Sequence, residues 1–229
     1  MADADGWFVL GVDPAPSKTT VAFDGTAFHA WAPVDVKGCL AGLIAGKRHV
    51  LVLWDAPLSM DEGSFYGRQV DRAASALVRN WTERPVPIAE RKAIGVAPAA
   101  GCPHNLLSMH VLGGPVGQPQ LGLELLRDRA DLATGGRWFA EVHPAVAMGA
   151  WHAKHRELGT MPRYKRRAGV ASGLLGRLRN QVPDCGLGPP VGDLELAWEA
   201  TRAEWNRAAT KGGVRLAALG DDALDAWVS

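Results

Sequence analysis

Three apolar runs in this chain end in an acid. F-V-L-G-V runs into Asp13, V-L-V-L-W into Asp55, and W-F-A into Glu141. An unpaired carboxylate is very costly in an apolar setting, so each of these acids either meets water or has a partner. Ligands of open α/β sheets gather outside strand ends. Carboxylates brought together there would repel one another in a low dielectric. A divalent cation removes that repulsion, and hard oxygen ligands suit Mg2+ or Mn2+. The segment L-G-D-D-A-L-D-A-W near the C-terminus adds Asp221, Asp222 and Asp225. Asp222 and Asp225 are three apart and share one face of a helix. Laid against the strand-end acids, they would complete a two-metal site, which stabilises both the attacking and the leaving oxygen of a phosphoryl transfer.

Each acid also has an ordinary explanation. Asp13 before Pro14, and Asp55 before Ala56-Pro57, can simply terminate strands. Glu141 can pair with an arginine. Asp221 after Gly220 reads as a helix N-cap rather than a ligand, and an acid at 222 favours the helix dipole. What keeps the metal reading open is the recurrence of acids at strand ends.

The elements that must carry these residues follow from pattern. Trp7–Asp13 reads as a strand. Thr19–Phe23 and Ala27–Trp31 read as two more, joined by Asp24-Gly25, a strong hairpin signal. Val36–Ala45 reads as a short helix. His49–Asp55 is a continuous apolar run, the mark of a strand buried on both faces in a parallel part of a sheet. Phe65–Trp81 has helical spacing. Residues 84–122 are rich in Pro and Gly and read as an irregular insertion, a lid or substrate-selecting segment. Helices are expected over Leu123–Leu132, Ala145–His155, Tyr164–Asn180, Leu194–Ala209 and Asp221–Ser229, with a strand at Arg137–Val142 between the first two. Strands first and helices later predict one α/β domain over 1–229 with a helical elaboration.

Composition narrows the classes. Of 229 residues, 47% are apolar and 21% charged, as in an ordinary globular protein, and the net charge of +1 gives no whole-molecule field for nucleic acid or anionic lipid. Three widely spaced cysteines make no disulfide framework, which suits a reducing compartment. The polar, acidic start M-A-D-A-D-G is unlike a secretory signal, and no run approaches the roughly 20 apolar residues of a membrane helix. The expectation is a cytoplasmic protein that does not enter membranes. Cys102-Pro103-His104 with His110, and the pair His152 and His155, fit zinc spacing poorly. Gly113–Gly117 lacks the Lys-Ser/Thr ending of a phosphate loop. His143 could assist proton transfer, or be a structural histidine at a strand end.

The motifs G-V-D-P-A at 11–15, W-D-A-P-L at 54–58, R-x-x-D-R at 68–72, E-V-H-P at 141–144, K-R-R-A-G at 165–169 and D-D-A-L-D-A at 221–226 occur in one order. Together they resemble the family called domain of unknown function 429, regarded as predicted RNase H-like nucleases, over nearly the whole chain. The resemblance implies an RNase H-like fold: a five-stranded mixed sheet, three strands antiparallel then two parallel, flanked by helices. It implies that Asp13, Asp55, Asp222 and Asp225 bind two Mg2+ or Mn2+ ions, with Glu141 a further catalytic acid characteristic of the family. The expected activity is metal-dependent cleavage of nucleic acid. The alternatives are a catalytically inactive RNase H-like scaffold and an actin- or sugar-kinase-like phosphotransferase.

For the substrate backbone, residues 151–180 hold eight Lys or Arg against the single acid Glu157. Such a patch would neutralise phosphates, or be a solvated helix face. Lys165, Arg166 and Arg167, with Lys18 and Arg68 near the motif acids, are the candidate substrate-binding residues.

Overall fold

A computed structural model describes residues 6–15, 18–58, 73–74, 76–77, 80–81, 107–112, 121–155, 159–164, 168–181, 194–208, 215–216 and 219–229. The first strand, β1 (Phe8–Asp13), is followed by β2 (Thr20–Phe23), β3 (Phe28–Trp31), helix α1 (Val36–Ile44) and β4 (Val50–Trp54). Then come α2 (Leu107–Leu112), β5 (Glu124–Leu125), a 3-10 turn (Arg129–Thr134), β6 (Arg137–Glu141), α3 (Pro144–Lys154), α4 (Ala168–Gln181), α5 (Leu194–Ala208) and α6 (Asp221–Val228).

The strands form one six-stranded mixed sheet in the order β3-β2-β1-β4-β6-β5. β1, β2 and β3 pair antiparallel, while β4 and β6 run parallel to β1 and β5 runs parallel to β6. The hairpin between β2 and β3 is set by Asp24-Gly25. Gly25 takes a positive φ of 92°, and Asp24 Oδ1 accepts from the backbone N–H of Thr26 (2.9 Å) and of Ala27 (2.8 Å).

Helices cover both faces. On one, Leu10, Val12, Val50, Val52, Trp54 and Phe139 pack with Val36, Leu40 and Ile44 of α1 and Val111 and Leu112 of α2. On the other, Val21, Phe23 and Phe28 pack with residues of α3, α4, α5 and α6. Trp54 and Phe139 are wholly buried and meet edge to face, with centroids 5.3 Å apart.

Three expectations need correction. The sheet has six strands rather than five, because β5 is added at the edge. Leu123–Leu132 is not a helix: Leu126 N–H donates to the Phe139 carbonyl (2.8 Å), extending the edge pairing. A capping box of Asp128 and Asp131 then starts the 3-10 turn at Arg129, so local side-chain caps and edge pairing outweigh the apolar spacing. Finally, the N-cap of α6 is Gly220, and Asp221 is its first helical residue. Within 84–122, residues 107–112 are helical and 121–122 form a turn, while the rest lies outside the described residues; around Phe65–Trp81, residues 73–74, 76–77 and 80–81 are helical.

Candidate metal centre

The parallel register decides which acids can meet. Val12 pairs with Trp54, and Trp54 with Glu141. Register partners in a sheet share a face and successive residues alternate. Val12 and Trp54 belong to the core on the α1 side. Asp13 and Asp55, each one residue further along, therefore turn to the α6 side, while Glu141 belongs with Val12 and Trp54. Asp13 also pairs with Val21, a residue of the α6-side core. The Asp55 N–H donates to the Val12 carbonyl (2.9 Å), which locks the two strand ends together.

The helix α6 brings the third acid. It lies against β1, and Gly11 makes this close approach possible: a Cβ there would stand 2.1 Å from the carbonyl oxygen of Ala226. A glycine inside a strand pattern signals such an approach, so this contact had a sequence signal. Ala223, Leu224 and Ala226 are buried in the core, and Asp225 among them is fully buried too. Asp13, Asp55 and Asp225 each offer a carboxylate oxygen, and these oxygens lie within 4.8 Å of one another. Among the described residues this trio is the group able to hold a metal ion.

The donor set fits a hard divalent cation. Oxygens on one Mg2+ at about 2.0–2.1 Å stand no more than about 4.2 Å apart, so a contraction of a few tenths of an ångström would close the trio on an ion. The trio brings three carboxyl groups together, with Asp13 and Asp55 partly exposed and Asp225 buried, a crowding that a divalent cation would relieve.

The remaining site residues fall differently. Asp222 is not in the trio; Lys18 Nζ donates to its Oδ1 at 2.5 Å. Nearly half of the Lys18 side chain is exposed, so its ammonium stands at the surface beside the helix that carries Asp225. Glu141 is exposed, and its Oε2 accepts from the Leu58 N–H (2.9 Å), bracing the turn that follows Asp55. Arg68, Lys165, Arg166 and Arg167 lie outside the described residues. His143 is the exposed N-cap of α3. His152 is buried, with its Nδ1 3.4 Å from the Gly159 carbonyl; burial pushes its pKa down, helped by the charges of Arg177 and His155.

Two supporting residues carry no sequence signal. Ser108 of α2 receives the Trp54 indole N–H (2.9 Å) and donates to the Pro57 carbonyl (2.5 Å). It therefore clamps both sides of Asp55 from within the 84–122 segment. Tyr164 Oη donates to Asp225 Oδ1 (2.7 Å) inside the core. Each hydrogen bond joins residues far apart in sequence, where no periodicity reaches.

The molecule is thus a mixed α/β protein with a carboxylate cluster at the C-terminal ends of its central parallel strands. A family model matches residues 11–229, described as Protein of unknown function (DUF429), and the chain belongs to that family. No curated protein and no solved structure matches the chain. No helix among the described residues is long and apolar enough to cross a membrane.

Proposed function

We propose that this protein is a cytoplasmic, metal-dependent phosphodiesterase that cleaves nucleic acid from an RNase H-like core. The observation that carries the reading is the meeting of Asp13, Asp55 and Asp225, from three distant segments, with oxygens within 4.8 Å. The strand order supports it: three antiparallel strands, then parallel ones, with β5 as an edge addition.

Mg2+ or Mn2+ held by these oxygens would lower the pKa of a bound water and stabilise charge on the phosphoryl group under attack. The protein's own part is positional. Asp13 and Asp55 are fixed by the strand register, and Asp225 by the seat of α6 on Gly11. Glu141 and Ser108 hold the Asp55 turn rather than touch substrate. Lys18, paired with Asp222 on the helix that carries Asp225, would exchange that carboxylate for a substrate phosphate, an acceptor that also suits an ammonium donor. Asp222, released, would then be free to extend the ligand set.

The test is Mn2+ titration by calorimetry together with cleavage of labelled single-stranded, duplex and junction DNA and RNA. The expected result is Mn2+ binding that Asp13→Asn abolishes, and cleavage of at least one substrate only when metal is present. Binding without cleavage of any substrate would sink the nuclease reading. ATP hydrolysis in its place would favour the phosphotransferase, and neither binding nor cleavage would favour the scaffold.

A further inference from the structure

Asp225 sits 0% exposed in an apolar cluster. A carboxylate in that position needs hydrogen-bond partners, or its burial is prohibitively costly. Tyr164 donates to Oδ1 from a neutral hydroxyl, at 2.7 Å. The ring is itself fixed: Tyr164 is 3% exposed and belongs to the cluster containing Met161, Ala171, Leu174 and Leu224. A phenol has few rotatable bonds, so its hydroxyl is a rigid anchor for the carboxylate plane.

We infer that Tyr164 is a positioning residue that orients Asp225 for a divalent cation shared with Asp13 and Asp55. This rests on the metal reading above and adds the group that sets the cation's affinity. The physical consequence is specific. Losing the hydroxyl keeps the Asp225 carboxyl but removes the hydrogen bond that Tyr164 gives its Oδ1, one constraint on its orientation toward Asp13 and Asp55. Partners of this kind, one step removed from the ion, are worth about 10–100-fold in metal affinity when removed.

The experiment is calorimetric Mn2+ titration of the wild type, Asp13→Asn and Tyr164→Phe, with circular dichroism to establish folding. Binding by the wild type, loss in Asp13→Asn and about 10–100-fold weaker binding in folded Tyr164→Phe is the expected pattern. Tyr164→Phe binding as the wild type does, while Asp13→Asn does not, would overturn the role of Tyr164 and leave the metal reading standing. No binding by the wild type, or undiminished binding by Asp13→Asn, would remove both. Should Tyr164→Phe fail to fold, 3-fluorotyrosine-labelled wild-type protein replaces it. Its two tyrosine resonances are assigned with Tyr66→Phe, and Mg2+ is the titrant. The Tyr164 resonance is expected to move with the same midpoint as the heat; a stationary one overturns the inference.

Discussion

The two ends of the central parallel strands handle charge in opposite ways. At the N-terminal end, Arg137 opens β6. Its guanidinium donates to the carbonyls of Gly122 (3.0 Å), Ile44 (3.2 Å), Leu121 (3.4 Å) and Lys47. One cation there is matched by neutral backbone dipoles and ties two chain segments, 44–47 and 121–122, to the sheet. Beside it, the Gly136 N–H donates to His49 Nδ1 (3.1 Å), and a Cβ on Gly135 would lie 2.5 Å from the same ring. At the C-terminal end, three carboxylates of one sign meet instead. The first arrangement is what stability alone produces. The second crowds groups of one kind at the strand ends, an arrangement that a cation would favour and that marks a candidate site.

The contrast can be broken most severely at Gly11. Gly11→Ala would push a methyl into the Ala226 carbonyl and lift α6 from β1. The expected cost is about 3 kcal/mol in denaturant unfolding, at the upper end of overpacking effects. Mn2+ binding should go with it although every acid remains. If Gly11→Ala kept full Mn2+ affinity, the seat of α6 would not be what gathers the trio.

Arg137→Met tests the other end. It leaves loop carbonyls without their donor and should cost about 2 kcal/mol. Mn2+ affinity should stay at the wild-type value, since nothing at the far strand ends changes. Coupled loss of metal binding would mean that the two ends are not independent.

A smaller effect of opposite sign is expected from Asp55→Asn in metal-free protein. Removing one of three crowded charges should raise Tm by about 2–4 °C, the shift for about 1 kcal/mol in a chain of this size. The same variant should gain little stability from added Mn2+, whereas the wild type should gain much. A metal-free Tm that fell would argue that the carboxylates are already neutralised within the protein.

The smallest effect concerns Asp24, an acid that the fold satisfies by itself. Burial alone would raise its pKa, but hydrogen bonds from His29, Ala27 and Thr26 outweigh this and hold the carboxyl well below the usual range. Its folded pKa lies below the unfolded one, so its contribution is present above the ordinary carboxylate pKa and fades as pH falls below about 4. Asp24→Asn should flatten the acid limb of the stability curve in that window and leave Mn2+ binding alone. An unchanged limb would show that other groups govern it.

Much of this architecture was legible in the chain. The first four strands and α1 fall within a residue or so of their pattern-based bounds, because period-two burial, a D-G turn and a continuous apolar run are local signals. Asp13 and Asp55 were legible as strand-end acids for the same reason. The segment after Leu123 was not legible, because edge pairing with β6 and the Asp128–Asp131 caps override its apolar spacing.

The sequence by itself determined the strands other than β5, which acids stand at their ends, and that Asp222 and Asp225 share a helix. Only the tertiary structure decided among those acids. Register alternation turned Glu141 away from Asp13 and Asp55, and Lys18 took Asp222. The seat of α6 on a side-chain-free strand residue carried Asp225 inward to Tyr164. Patterning reports what each segment buries, whereas the meeting of distant side chains depends on how whole elements pack, which no local window contains.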